Sequence, residues 1–214
     1  MVASEPLRET LLDVAIRHFG AHGFQGAGTR AIASECNTAM SSITYHFGGK
    51  EGLYLAAADH IAKGVTSFMH PMLDGLRSRG EKSPEEAAEA VIELLQGFAT
   101  MMLSDRSQPW ASFIIREQQQ PSEAFDRLYA GAMRPVFETL VALIENARPD
   151  LGNKEACASA MVLMGQVFML RAARASVCRA LDVETLDGAA EELLRERIAV
   201  HTRCVLSANG KDFG

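Results

Sequence analysis

Apolar residues recur along the chain at the spacing of α-helices, and the alternating pattern of strands is almost absent. Glycine and asparagine interrupt the pattern where short helices are expected to end. Before residue 50 the pattern predicts a helix from Leu7 to Gly23, a short helix from Thr29 through Cys36, an Asn37-Thr38 turn, and a second short helix that ends at Phe47 before Gly48-Gly49.

Longer helices are predicted after residue 50. They run from about Lys50 toward His70-Pro71, from Ser83-Pro84 to about Leu103, from Trp110 to Gln120, from Pro121-Ser122 to Arg148-Pro149 with a kink at Pro135, from Lys154 to Arg179, and from Glu184 to Ser207. The fold class is therefore all-α with about nine helices. We expect a three-helix helix-turn-helix domain over 1–50, a helical ligand-binding and dimerisation domain over 51–208, and a frayed tail over 209–214.

The composition is typical of a globular protein, since 48% of the 214 residues are apolar and 22% are charged. No apolar run approaches the roughly 20 residues of a membrane helix, and the N-terminus lacks a signal-peptide pattern. We therefore expect a cytoplasmic protein that does not contact membrane. The four cysteines are widely and irregularly spaced, which favours free thiols over a disulfide framework or a zinc site.

The charge balance limits how the chain can bind nucleic acid. The net charge is −6, and residues 1–52 contain four basic and five acidic residues. Because phosphate contacts need lysine and arginine, bulk charge does not favour DNA binding. Binding would depend on a few placed cations, backbone N–H groups and helix N-termini.

The segment from Thr29 to Phe47 resembles two short helices joined by a tight turn. Ile32 and Ala33 are expected to face inward, while Ile43 and Phe47, four residues apart, anchor the second helix. The opposite face of that helix carries short polar and aromatic groups that suit a major groove. A helical hairpin with a solvated polar face is the alternative, and the negative charge favours it.

The residues from Leu11 to Leu55 resemble the TetR family of repressors. The resemblance depends on a set of short motifs: Ala15-Ile16-Arg17-His18-Phe19, Gly23-Phe24, Thr29-Arg30 with Ile32-Ala33, Ile43-Thr44-Tyr45-His46-Phe47 and Lys50-Glu51-Gly52-Leu53-Tyr54. The run from Ser42 to Glu51 is similar to the CecR-type branch, as are Trp110, Phe113-Ile114-Ile115-Arg116-Glu117 and Pro121-Ser122-Glu123-Ala124-Phe125.

The resemblance implies roles for individual DNA-binding residues. Thr29 would cap the first short helix and, with Arg30, contact phosphate, and Lys50 would grip phosphate from the start of the next helix. Thr44 stands where many relatives carry tyrosine, so Tyr45 and His46 are alternative phosphate contacts. The complete set of expected DNA-binding residues is Thr29, Arg30, Ala39, Met40, Ser41, Ser42, Thr44, Tyr45, His46 and Lys50. Asn37 replaces the usual turn glycine and tolerates the left-handed conformation best after glycine.

The helix from Trp110 to Gln120 carries a carboxylate, Glu117, on an apolar face. A buried carboxylate needs a partner, which is either Arg171 or Arg174 in a structural salt bridge, or a ligand. Gln166 lies among apolar and methionine-rich neighbours and would suit a pocket. The predicted effector site is lined by Trp110, Phe113, Glu117 and Gln166, and would bind a small, at least partly apolar molecule.

The helix predicted from Lys154 to Arg179 is apolar nearly all round, which indicates burial on two sides. We expect it to pack with the last helix in a homodimer interface, and the family resemblance implies the same. Small residues such as Ala160 would allow close approach. A symmetric dimer would bind a near-palindromic double-stranded operator.

Enzyme chemistry finds no support in the sequence, because no nucleophile motif or glycine-rich phosphate loop is present. His18 and His22 have a spacing that can bind zinc, but without a third ligand a surface pair is favoured. No metal or cofactor is therefore expected. The predicted function is that of a DNA-binding transcriptional repressor released by a small-molecule effector. The alternative is an all-helical ligand-binding or adaptor protein without DNA contact.

Overall fold

The computed structural model describes residues 4–80 and 83–207, and the tail predicted over 209–214 lies outside them. Every regular element in these residues is helical, which confirms the all-α prediction. The elements are α1 Ser4–Gly26, α2 Thr29–Glu35, α3 Met40–Phe47, α4 Lys50–Ser78, α5 Pro84–Leu103, a 3-10 turn Asp105–Ser107, α6 Gln108–Gln119, α7 Glu123–Leu128, a π-helical segment Tyr129–Met133, α8 Arg134–Ala147, α9 Asn153–Ala172, α10 Arg174–Leu181 and α11 Gly188–Ser207.

The chain forms two compact units. Within the described residues, unit 1 contains residues 4–67 and 107–134, and unit 2 contains residues 68–80, 83–106 and 135–207. Helices α6 and α7 therefore belong to the same unit as the N-terminal helices. The two units do not follow the domain boundary predicted at residue 50, and that boundary stays a prediction. In unit 1 the rings of Phe19, Tyr54 and Phe113 form an aromatic core with centroids 4.7–6.4 Å apart.

Unit 2 is built around α5, which packs against α9 and α11. Ser83 begins α5 as predicted, since its hydroxyl accepts from Glu86 N and the Glu86 carboxylate accepts from Ser83 N. This reciprocal cap satisfies two N–H groups that the helix itself leaves unpaired. Most of α5 is buried, including Leu94, Leu95 and Phe98.

Two prolines lie inside the helical segments, and one of them differs from the prediction. Helix α4 continues through Pro71 to Ser78, because Met69, Leu73 and Leu76 keep its apolar face buried on both sides of the proline. Their burial offsets the hydrogen bond that proline removes. Pro135 does coincide with the predicted irregularity, which takes the form of the π-helical segment that ends two residues before it.

The prediction of one long helix from Lys154 to Arg179 is wrong. It breaks at Ala173 into α9 and α10, which are bent by 83°. The buried face of α9 ends at Leu170 and Arg171, and α10 buries none of its residues. The last helix begins at Gly188 rather than Glu184.

Within residues 4–80 and 83–207, no single helix is long and apolar enough to cross a membrane. The pair α9 and α10 meets the length and composition criteria only when taken together, across its sharp bend.

Candidate DNA-binding helices and ligand cleft

Helices α2 and α3 are anchored through three of the four apolar residues that the sequence indicated, and the fourth, Phe47, is half-buried. Ile32, Ala33 and Ile43 are buried, and the turn between the helices passes through Asn37 with φ of 51°. The left-handed conformation predicted for Asn37 is therefore confirmed. The hydroxyl oxygen of Thr38, the second residue of the predicted turn, lies 2.8 Å from that of Ser42 and ties the turn to α3.

The predicted capping role of Thr29 is wrong. Gly28 occupies the position before α2, in an extended conformation, and Thr29 is already the first helical residue. A glycine there has no side chain with which to cap, so α2 starts without a side-chain cap.

The outward face of α3 is accessible along its length. Tyr45 is 84% exposed and Met40 is 48% exposed. Of the other residues predicted to bind DNA, Arg30, Ala39, Ser41 and Thr44 are exposed, and Thr29, Ser42, His46 and Lys50 are half-buried. The anchored inner face thus leaves an outer face of hydroxyls, a thioether and a phenol.

Several basic side chains near these helices are engaged within the protein, whereas Arg30 on α2 is exposed. Arg17 forms an ion pair with Glu35, and His18 Nε2 lies 2.8 Å from the other oxygen of that carboxylate. The contacts with His18 and Arg17 lower the pKa of Glu35. Arg8 lies over the Phe47 ring at 5.3 Å, and the Lys50 ammonium lies 5.0 Å from the Phe24 centroid.

The end of α1 is held by cations from two other helices. Gly23 interrupts α1 with φ of 71° and ψ of 175°, at the position where the sequence predicted its end. Arg116 donates from Nε to Gly20 O and from Nη2 to Ala21 O, both at 2.7 Å. Lys50 Nζ donates to Gln25 O at 3.2 Å. Carbonyls that the broken helix leaves unpaired are thereby satisfied.

Glu117 is 3% exposed, and its partners are hydroxyl groups. It accepts from Tyr54 Oη at 2.5 Å, from Ser122 Oγ at 2.8 Å and from Ser122 N at 3.1 Å. The predicted salt bridge with Arg171 or Arg174 is therefore wrong, and Arg171 donates instead to Ser104 O in unit 2. Serine and tyrosine satisfy the carboxylate because three donors converge on its two oxygens.

Tyr54 is fixed as the donor of this pair. Burial and its bond to Glu117 raise the pKa of Tyr54 well above its ordinary value. The phenol therefore keeps its proton at every physiological pH and links α4 to α6. The sequence analysis included Tyr54 only as part of a family motif. The signal for its hydrogen bond to Glu117 was a phenol hydroxyl on an otherwise apolar helix face.

A cleft of about 500 Å³ opens beside this pair in unit 1. Its lining comes from the end of α1, the first turns of α4, and the α6–α7 connection: His22, Gly23, Phe24, Gln25, Glu51, Tyr54, Leu55, Arg116, Glu117, Gln119, Gln120, Ser122 and Glu123. Of the four residues predicted to bind an effector, Glu117 lines this cleft.

The other three predicted effector residues have different surroundings. Trp110 packs against Gly64, where an added Cβ would lie 2.5 Å from the indole, and Phe113 belongs to the aromatic core of unit 1. Gln166 belongs to unit 2, where His201 Nδ1 lies 2.8 Å from its Oε1 and Thr202 Oγ1 lies 3.4 Å from its Nε2.

Helix α9 presents apolar side chains on two faces, as the sequence predicted. One face is buried against α5, and Ala160 belongs to it, fully buried. The expectation that Ala160 lies at a subunit contact is therefore wrong. The other face carries Met161, Val162 and Met169, which are 59%, 64% and 53% exposed.

No group of three or more histidine, cysteine or acidic side chains comes together as a metal site among the described residues. His18 is engaged with Glu35, as noted, and its ring lies 6.0 Å from that of His22.

Two family models match the sequence. Residues 11–57 match the model of bacterial regulatory proteins of the tetR family. Residues 84–209 match the C-terminal domain of the HTH-type transcriptional dual regulator CecR.

Curated relatives agree with these matches. The HTH-type transcriptional dual regulator CecR of Shigella flexneri is 25% identical over 96% of this chain and 93% of its own length. The HTH-type transcriptional regulator BetI of Brucella melitensis is 27% identical over 67% of this chain and 69% of its own.

Solved structures of regulators share the fold. AibR, in complex with isovaleryl coenzyme A and operator DNA, superposes with a TM-score of 0.68 at 14% identity, covering 91% of this chain and 97% of that one. The hemolysin II transcriptional regulator HlyIIR gives a TM-score of 0.63 at 16% identity, covering 93% and 98%.

Proposed function

The chain belongs to the TetR family of bacterial regulatory proteins, with a CecR-type C-terminal domain, and from this premise we propose that it is a repressor released from its operator by a small-molecule effector. It is a DNA-binding transcriptional regulator rather than an enzyme. We place its action in the cytoplasm, where chromosomal DNA is accessible.

The observation that carries the proposal is the two-sided character of α3. Ile43 fastens the helix to unit 1, while Tyr45, Met40, Ser41 and Thr44 face outward. A short helix held from one side and exposed on the other can enter a major groove without rearrangement. Hydroxyl groups and small apolar groups are suited to base edges and thymine methyls.

The first experiment selects DNA fragments with the purified protein and sequences them. We expect a near-palindromic site, because a symmetric dimer presents two copies of α3. Failure to retain any duplex at low salt would support a helical adaptor protein instead.

Separate substitutions then distinguish phosphate contacts from base contacts. Lys50→Ala is expected to weaken binding to all duplexes and to reduce the salt slope by about one, because the ammonium spends one donor on Gln25 O and keeps two. Lys63→Ala, an exposed lysine on the same helix, is the control. Ser41→Ala is expected to change sequence preference instead. Equal behaviour of the two lysine variants would remove Lys50 from the interface.

Dimerisation is proposed to use the exposed apolar face of α9 together with Leu193 and Val200 of α11. Val162→Glu would bury a charge in that contact and is expected to give a monomer in light scattering, without unfolding, because Val162 is 64% exposed in the single chain. Val162→Thr, of similar size, is the control. A wild-type protein that is monomeric at all concentrations would contradict the proposal.

The effector is proposed to bind in the cleft beside Glu117. Its volume of about 500 Å³ lies within the range of small-molecule sites. The ligand can act only through different affinities for the DNA-binding and released states. Glu117→Gln is expected to weaken the effector response while leaving unliganded DNA binding nearly unchanged.

A further inference from the structure

The cleft beside Glu117 has walls of distinct chemistry. Phe24, Tyr54 and Leu55 supply apolar surface from the end of α1 and the first turns of α4. The polar wall comes from Glu51 and from the residues around the α6–α7 connection. Such a mixture of apolar lining and few orienting groups is the usual composition of a ligand site.

Some of the hydrogen-bond donors of the cleft are used within the protein. Arg116 uses the N–H of Nε and one N–H of Nη2 on the carbonyls at the end of α1, and keeps the hydrogens of Nη1. Tyr54 Oη and Ser122 Oγ both donate to Glu117. A hydroxyl has one hydrogen to donate, so neither can donate to a ligand without releasing the carboxylate.

Acceptors, in contrast, remain available. Glu51 is exposed, and neither an ion pair nor a hydrogen bond engages its carboxylate within residues 4–80 and 83–207. Glu123 holds Arg127 through Oε1 alone, which leaves Oε2. Each oxygen of a carboxylate accepts about two hydrogen bonds, so Glu117 Oε1, which holds only Tyr54, has capacity for another donor.

From this excess of carboxylates we propose that the cleft binds a small molecule that carries a protonated amine and a short apolar or aromatic group. The ammonium donates to Glu117 and Glu51, and the apolar group packs on Phe24, Tyr54 and Leu55. An ammonium has a positive charge and three donors, which matches a lining that holds the three carboxylates of Glu51, Glu117 and Glu123. Anionic ligands are disfavoured because these three carboxylates outnumber the one guanidinium of the lining, Arg116.

The inference rests on the proposed function for its regulatory consequence. Tyr54 belongs to α4 and Glu117 to α6, and their hydrogen bond joins these helices. An ammonium that donates to Glu117 Oε1 shares that oxygen with Tyr54 Oη. Binding therefore acts directly on the link between α4, which follows the DNA-binding helices α2 and α3, and α6, whose Arg116 holds the end of α1.

Isothermal titration of the DNA-free, full-length protein tests the ligand class with three matched probes. They are 2-phenylethylamine, the neutral 2-phenylethanol and the anionic phenylacetate, which share a ring and differ in the polar group. We expect 2-phenylethylamine to bind about tenfold more tightly than 2-phenylethanol, since hydrogen bonds to charged groups are about twice as strong as neutral ones. Phenylacetate is expected not to bind.

Variants locate the site. Glu117→Gln and Glu51→Gln are each expected to weaken 2-phenylethylamine binding about tenfold. Glu184→Gln, an exposed carboxylate outside the cleft with the same loss of charge, is expected to have no effect. Glu51 is exposed, so its variant keeps the test valid should Glu117→Gln fail to fold.

The outcomes separate this inference from the regulatory function. Equal affinity for the three probes, or amine binding insensitive to Glu51→Gln, overturns the inference even where operator binding is intact. Amine binding that depends on Glu51 but does not alter operator affinity supports the ligand class and contradicts the effector role of the cleft.

Discussion

Gly64 on α4 lies under the only tryptophan of the chain, and its replacement by alanine tests the packing of unit 1. A Cβ at this position would stand 2.5 Å from Cη2 and 2.6 Å from Cζ2 of Trp110. An indole ring is rigid, so the contact is relieved only if the ring or the helix shifts. Gly75, on the same helix, has no atom within 4 Å of an added Cβ. The two glycines therefore form a matched pair.

The two substitutions are expected to change stability in opposite directions. Alanine favours a helix interior by about 1 kcal/mol over glycine, and Gly75→Ala should gain that amount. Gly64→Ala gains the same and loses about 1–3 kcal/mol to overpacking. The free energy of unfolding should thus be about 1–3 kcal/mol lower for Gly64→Ala than for Gly75→Ala.

Urea unfolding followed by circular dichroism at one protein concentration measures this difference, since dimerisation makes stability depend on concentration. Trp110 emission should shift in native Gly64→Ala and stay constant in Gly75→Ala. If Gly64→Ala is stabilised as much as Gly75→Ala, the indole of Trp110 does not pack closely on Gly64.

Three further predictions concern local features. Because the pKa of Glu35 is lowered from 4.5 in the folded protein, Glu35 stabilises the fold above about pH 4.5, and this contribution is lost as the pH falls through the folded value. Glu35→Gln should therefore flatten the acid side of the plot of stability against pH. Glu9→Gln, at an exposed position, is the control. Asn37→Val should lower stability by about 1–2 kcal/mol in thermal unfolding because φ is 51°, and Asn37→Gly should be tolerated. Ser83→Ala should lose about 0.5–2 kcal/mol, and Ser78→Ala, outside the cap, about none.

Local signals in the sequence identified most of the helices. The Ser83-Pro84 start of α5, the Asn37 turn and the break at Gly23 each depend on the chemistry of one or two residues, and each is present in the structure. The end of α4 and the break at Ala173 depend on where burial continues or stops. Burial is decided by contacts between distant segments, which helical spacing alone does not contain.

The candidate ligand site shows the same limit. Glu117 was identifiable as a carboxylate on an apolar helix face, but its partners lie 63 residues away at Tyr54 and five residues away at Ser122. A search for an opposite charge favoured Arg171 and Arg174, whereas hydroxyl groups satisfy the carboxylate. The link from Arg116 to Gly20 spans 96 residues and left no local signal.

Several cations near the DNA-binding helices α2 and α3 contact other residues of the protein, and this affects how strongly the protein binds unrelated DNA. Arg17 is paired with Glu35, Arg8 lies over Phe47, and Lys50 contacts Gln25 and Phe24. Binding to unrelated DNA is driven by release of counterions from phosphates, at a salt slope of about 0.9 for each phosphate neutralised. Among the described residues near α2 and α3, Arg30 is exposed and Lys50 keeps two donors, so a small number of charges is available to phosphate. We therefore expect a small salt slope on unrelated DNA, and fewer molecules held by the rest of the chromosome.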